Sequence, residues 1–412
     1  MLDLQYIRDN SEKLKEKSLE KNVQVDIDSI IEIDEKYRAK LTEVQSLREE
    51  RNKAAKDRNI DLGREIKEKL SNFEPELREL ENSLKNLLLQ IPNPSKDDVK
   101  KGKNDTENDV IKTVGEKKEF SFKVKDHLEL GEELDIIDME RAAKVSGARF
   151  AYLKNDGVLL QLALYNYALE ILMAEGFMPV IPPVIINSET MRGLGYMENG
   201  GDEDMFHLRD NEKVLVGTAE HSLVPMHKDE TLDSKKFPLR YVGISSAFRR
   251  EAGSYGKDTR GIFRVHQFDK VEMVSFVKNG DDDAEQEFLL GLEEKLFQGL
   301  GIPYQVIKMC TGDLGFPAAR KYDIEAWIPS QEKYREVTSV STVTDFQSRR
   351  LSIKYLEDGE KKYANVLNGT AFAIGRTIIA ILENFQNEDG SIDIPSVLQK
   401  YMNGKNKIAV RV

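Results

Sequence analysis

A single cysteine, Cys310, stands in 412 residues, which excludes an internal disulfide and any cysteine-based zinc site within one chain. No G-x-x-x-x-G-K-[ST] and no G-x-G-x-x-G occurs, so neither common phosphate-cradling loop is present. H-E-x-x-H and G-x-S-x-G are missing too, and His127, His207, His221, His227 and His266 are not spaced as metal ligands. The usual hydrolase and dinucleotide readings fail. The most apolar stretch, Val158 to Met173, is interrupted by Gln161, Asn166 and Glu170, which argues against a membrane span. The first ten residues offer neither a basic leader nor an apolar core, so no signal peptide is expected. Positive charge is also short: 73 acidic against 61 basic residues leave −12, which disfavours coating nucleic acid through a global field but permits a local basic surface. These absences predict a soluble cytoplasmic protein with no zinc.

The apolar fraction of 40% suffices for a real core, and the length suits two domains. From about Asp26 to Ile91 the chain is rich in Glu, Lys, Arg and Leu. Ile30, Ile33, Tyr37, Leu41 and Val44 step by three or four, and Ile66, Leu70, Phe73, Leu77, Leu80, Leu84 and Leu87 alternate four and three. That is a heptad seam. Turn formers between the halves predict an antiparallel helical hairpin with its tip near Asn59 to Gly63. Pro75 predicts either a kink or the first turn of a fresh helix. By itself the pattern suits a spacer or oligomerisation element as well as an RNA-binding one, although Lys36, Lys40, Arg48, Arg51, Lys53, Lys56, Arg58, Arg64, Lys67, Lys69 and Arg78 could meet phosphates. Polar Ser95 to Glu119 reads as a linker.

Beyond Phe120 the composition becomes globular. Helical pattern covers Asp138 to Val145 and Leu160 to Glu175, and a Gly-rich strand runs into a helix over Asn368 to Asn384. Strand-like runs occupy Met178 to Val184, Leu239 to Ser246, Lys270 to Val277, Tyr304 to Met309, Tyr322 to Ile328 and Tyr334 to Val340. Without regular βαβ alternation, these predict an α+β fold: an antiparallel β-sheet flanked by helices, with the N-terminal helical arm appended. Expected domains are 1–105, carrying the arm at about 26–91, and 106–412.

Arg249 and Glu251 lie two apart in Phe248-Arg249-Arg250-Glu251 and share a strand face, where a guanidinium can hold a phosphate and a carboxylate can accept from an amino group. Phe268 offers a flat surface for a base. Taken alone, that short pattern is better explained by cross-strand salt bridges on a solvated hairpin. The longer strings decide more. Ala247-Phe248-Arg249-Arg250-Glu251-Ala252-Gly253, Lys257 to Gly261 and His266-Gln267-Phe268-Asp269-Lys270-Val271-Glu272 resemble motif 2 of class II seryl-tRNA synthetases. Gly369 to Arg376 with Leu382-Glu383-Asn384 resembles their motif 3, and Gly176-Phe177 through Pro183 resembles motif 1, which builds a dimer interface. Thr218-Ala219-Glu220 is similar to the family's serine loop, and Glu336-Val337-Thr338-Ser339 with Thr344 to Gln347 to the segment before motif 3. The resemblance covers essentially the whole chain.

It implies a homodimeric ligase that forms seryl-adenylate from ATP and L-serine, then charges tRNA(Ser), and it leaves tRNA(Sec) open as a second substrate. The catalytic set would be Arg249, Glu251, Arg264 and Arg376. ATP would meet Arg249, Arg250, Glu251, Val265, Phe268, Glu336, Val337, Thr338, Ser339 and Arg376. Serine would meet Thr218, Ala219, Glu220, Arg249, Glu272 and Thr370. Glu336 and Ser339 would position Mg²⁺ with the ATP. The arm would bind the long variable arm of the tRNA, whose end docks across the dimer. Ala247, Arg250, Ser341-Thr342-Val343 and Thr370 depart from the commonest family pattern without removing a charged group that carries a role. The alternative is a related ligase that charges a carrier protein; such relatives tend to lack the arm.

Overall fold

The computed structural model describes residues 2–209, 212–252, 258 and 260–410. The chain forms two compact units, Met1–Pro94 and Ser95–Val412.

In the first unit two short helices, Leu4–Asp9 and Ser11–Glu20, precede a pair of 30-residue helices, α1 (Ile27–Lys56) and α2 (Ile60–Leu89). The Asp26 carboxylate accepts from the Ser29 N–H and caps α1; the Asn59 side chain accepts from Leu62 N–H and caps α2. That cap moves the tip one turn earlier than the sequence suggests. The reversal is Asp57-Arg58-Asn59, with Arg58 in the left-handed region, and Gly63 falls inside the first turn of α2. Pro75 does not break α2, which runs through it. The residue four earlier, Ser71, is exposed, so the carbonyl that Pro75 cannot serve can meet water. The seam buries two clusters: Ile30, Leu84 and Leu88 pack with Ile7, Leu14, Ile27 and Ile91, while Val44, Ala54, Ile66 and Leu70 pack near the tip.

The second unit is built on eight strands: β1 (Asp109–Val114), β2 (Met178–Val180), β3 (Leu239–Phe248), β4 (Gln267–Val277), β5 (Tyr304–Lys308), β6 (Arg320–Ile328), β7 (Lys333–Thr342) and β8 (Asn365–Ala373). Their spatial order is β1-β5-β6-β7-β8-β4-β3-β2, antiparallel throughout except for β2 against β3. The expected linker is therefore only partly a linker, because Asp109–Val114 pairs with β5 and Val99 is buried with Met309, Leu314 and Ala318. Polarity hid that strand: it is an edge, exposes Val110 and Ile111, and is held by backbone hydrogen bonds more than by apolar burial.

Helices α3 (Asn155–Ala174), α4 (Asp282–Leu300) and α5 (Ile374–Asn384) pack on the sheet around Leu164, Leu172, Leu289, Leu296, Ile378 and Phe372. By length and composition α3 could cross a bilayer, but Leu160, Ala163, Leu164, Ala168 and Leu172 are fully buried in this core. Side chains alternate along strands, so Lys270 and Glu272 on β4, Lys321 on β6 and Ser339 and Ser341 on β7 reach a common polar cavity system.

Candidate active site

Two cavities adjoin on the central strands. The first is walled by Arg249, Glu251, Val265, Phe268, Glu336, Val337, Thr338, Ser339, Thr370 and Arg376. The second is walled by Thr218, Glu220, Glu272 and again Arg249. Most residues named from sequence for the nucleotide line the first well and most of those named for serine the second; Arg249 and Ser339 line both, Thr370, named for serine, lines the first, and Arg250 and Ala219 line neither.

Arg249 follows the last residue of β3. Its N–H donates to the His266 carbonyl at 3.0 Å and its Nε to the Gly217 carbonyl at 3.3 Å. The guanidinium carbon lies 5.5 Å from the Phe268 ring centre. Glu251 takes a left-handed backbone conformation, φ 52°, which turns its carboxylate back to Arg264 Nη1 at 2.9 Å. Arg264 also faces Asp258 at 3.5 Å and does not itself line either cavity. Arg250 is exposed, with its N–H donating to the Asp204 carbonyl, and also stays out of both wells. Ala219, between Thr218 and Glu220, is fully buried and lines neither well; a Cβ on Gly243 would come within 2.8 Å of its methyl. Gly253, Lys257 and Thr259 of the motif-2 resemblance lie outside the described residues.

Glu336 on β7 accepts from Arg376 Nη1 at 2.9 Å. Burial opposes its ionisation, but Arg376, Lys321 and Arg249 outweigh that and hold its carboxyl below the usual range. An ionised carboxylate lining the same cavity as Ser339 would suit a hard cation that takes its remaining ligands from phosphate oxygens and water. Among the described residues no group of three or more His, Cys, Asp or Glu could hold an ion unaided.

In the second well Glu220 is 3% exposed and accepts from the Tyr196 hydroxyl at 2.9 Å and from Gln347 Nε2 at 2.9 Å. Burial, with help from Glu272, pushes its carboxyl up to about 7, against the pull of those two donors. Glu272 is salt-bridged to Lys270 Nζ at 2.5 Å and accepts from the Thr370 hydroxyl at 3.1 Å. Burial drives the His221 ring well below its ordinary pKa, in keeping with its Nδ1 accepting from the Gly217 N–H at 3.1 Å. The Gly217 peptide therefore ties His221 to Arg249.

Comparison with known proteins gives the family. Residues 1–95 match the seryl-tRNA synthetase N-terminal domain, and 205–385 match the tRNA synthetase class II core domain (G, H, P, S and T). The serine--tRNA ligase of Dictyoglomus turgidum is 43% identical over 98% of both chains, and that of Treponema denticola 41% identical over 97% of this chain and 98% of its own. The chain belongs to the seryl-tRNA synthetase family. The crystal structure of the Pyrococcus horikoshii seryl-tRNA synthetase complexed with ATP superposes with a TM-score of 0.92, at 40% identity over the whole of both chains. The Naegleria fowleri serine-tRNA ligase in complex with AMP gives 0.87 at 32% identity, covering 98% of this chain and 96% of its own.

Several members of the site carry no sequence signal of their own. Tyr196, His221 and Gln347 brace the second well from three separate segments. Phe263 is covered by two guanidinium groups, Arg335 at 4.1 Å and Arg376 at 4.8 Å from its ring centre. Lys321 reaches both wells. Gln347 stood inside a family-like string, His221 directly after one and Phe263 between two, so sequence could have drawn attention to those three.

Proposed function

We propose that this seryl-tRNA synthetase family member activates L-serine with ATP and transfers it to the 3′ end of tRNA(Ser), the unit around the arm gripping tRNA and the sheet unit performing activation. One observation carries the reading: a well suited to a nucleotide and a well suited to a small polar amino acid meet at a shared guanidinium, Arg249. The serine carboxylate is ionised at neutral pH and needs no general base. It attacks the α-phosphorus, the bond to the bridging oxygen breaks, and pyrophosphate leaves. The barrier lies in bringing two anions together and in stabilising the α-phosphoryl oxygens, which in-line placement and Arg249 address. Phe268 and Val265 present apolar surface to the base, and Glu251 an acceptor to its amino group. Glu336 and Ser339 would hold Mg²⁺, which when bound neutralises phosphate charge. Glu220 supplies an anion for the serine ammonium, and Thr370 with Glu272 polar partners for its hydroxyl, which alanine would leave unpaired at a cost of roughly four powers of ten.

At the arm's tip, residues 51–64 carry five basic against two acidic side chains, the reverse of the chain as a whole. Lys36, Lys40, Arg48 and Lys69 are paired with carboxylates, whereas Arg51, Lys53, Lys56, Arg58, Arg64 and Lys67 make no ion pair among the described residues. They are the better phosphate contacts. A tRNA(Sec) offering the same shape would be charged as well. A homodimer in the cytoplasm, where ATP and tRNA are, completes the reading. A carrier protein as acceptor is disfavoured by the arm.

The test compares the full chain with a variant in which 26–91 is replaced by a short turn. Both should exchange pyrophosphate into ATP in a serine-dependent manner, and only the full chain should charge tRNA(Ser). Absence of exchange in the full chain, or undiminished charging without the arm, would overturn the proposal.

A further inference from the structure

Arg249, Lys270, Lys321 and Ser339 are the residues that line both wells. The reacting atoms must meet at that junction, because the amino acid's carboxylate and the nucleotide's α-phosphate come from opposite sides of it. Three of the four are cationic, and two of those cations are not equivalent. Lys270 is 6% exposed and committed to the amino-acid side, with Glu272 at 2.5 Å and the Thr370 hydroxyl at 3.4 Å. Lys321 is half-buried on β6, opposite Ser341 of β7, and forms an ion pair with Asp323 at 3.1 Å on the same strand face. One contact uses a single direction of an ammonium that carries three donors. Burial penalises its charge, but Asp323 and Glu336 more than restore it, so the cation persists. Glu336 in turn is engaged by Arg376.

We propose that Lys321 is a further catalytic residue: its ammonium contacts the oxygens that gain charge as serine's carboxylate oxygen bonds to the α-phosphorus and the bond to pyrophosphate breaks. No proton moves; Lys321 contributes positive charge and stays an ammonium throughout. This rests on the serine-activating function proposed above.

The competing role is structural, with Lys321 merely neutralising the buried Asp323. Serine-dependent pyrophosphate exchange on the full chain separates the two. K321M should lose roughly a hundred- to a thousand-fold in kcat, with the KM for serine within about threefold, since Lys321 acts in the transition state. K321R should recover to within about tenfold of wild type, because charge is kept while geometry changes. The double variant K321M/D323N, which removes both charges, should stay as slow as K321M. If Lys321 is only a partner for Asp323, the double variant regains the wild-type rate, and the proposal falls. It falls equally if K321M keeps its rate to within about threefold. Melting temperatures of all variants, with K321Q as a polar substitute should K321M not fold, distinguish unfolding from lost chemistry. A wild-type chain without serine-dependent exchange would instead overturn the function itself.

Discussion

Glu220 is held where an ionised carboxylate is costly, since it is almost wholly buried and Glu272 lines the same well. Its carboxyl titrates at about 7, raised by burial first, because neither the Tyr196 hydroxyl nor the Gln347 amide brings a full positive charge. On the proposed function serine would bring an ammonium to Glu220, which favours the ionised form. The free enzyme binds a proton there below about pH 7 and must release it to bind substrate. The KM for serine should therefore rise as pH falls below 7, by up to about tenfold per unit, and level off above it. Steady-state exchange between pH 5.5 and 8.5 checks this. E220Q should show a high KM with that pH dependence gone; a wild-type KM flat across the range would contradict the assignment.

At the scale of elements, the hairpin was legible because 3.5-residue periodicity survives any detail of packing, and Val44, Ile66, Leu70 and Leu84 are buried on the seam it predicts. Its tip was misplaced by a turn because Asn59 can serve either as a turn residue or as an N-cap, and only the cap satisfies the Leu62 N–H. The strands of the central sheet were legible from β-branched runs, whereas the edge strand Asp109–Val114 was not, since its hydrogen bonds leave no apolar signature. Arg249, Glu336 and Arg376 could be grouped only through resemblance to a family. Lys321 could not, because what matters is its register opposite Ser341 on a neighbouring strand, and pairing register is not written in either strand alone.

For the molecule as a whole, α3, β2 and the segment after it leave Leu162, Met173, Met178, Ile181 and Ile185 between 46% and 86% exposed. That is much apolar surface for one region, and it coincides with the stretch that resembles a dimer-forming motif. A two-fold interface there predicts that Ile181→Glu, the most exposed of the five, yields a monomer by sedimentation at micromolar concentration, while wild type sediments as a dimer. Wild type sedimenting as a monomer would remove that assembly from the account.

Everything in the catalytic reading converges on Arg249, the guanidinium among the three cations that the two wells share. Single-turnover formation of seryl-adenylate by Arg249→Gln, at saturating ATP and serine, tests it most directly. A fall of roughly a thousand-fold or more is predicted, since on the proposed function Arg249 would meet both reacting anions and its removal would strip the α-phosphate of a preorganised donor. Adenylate formed by that variant at the wild-type rate would contradict the account.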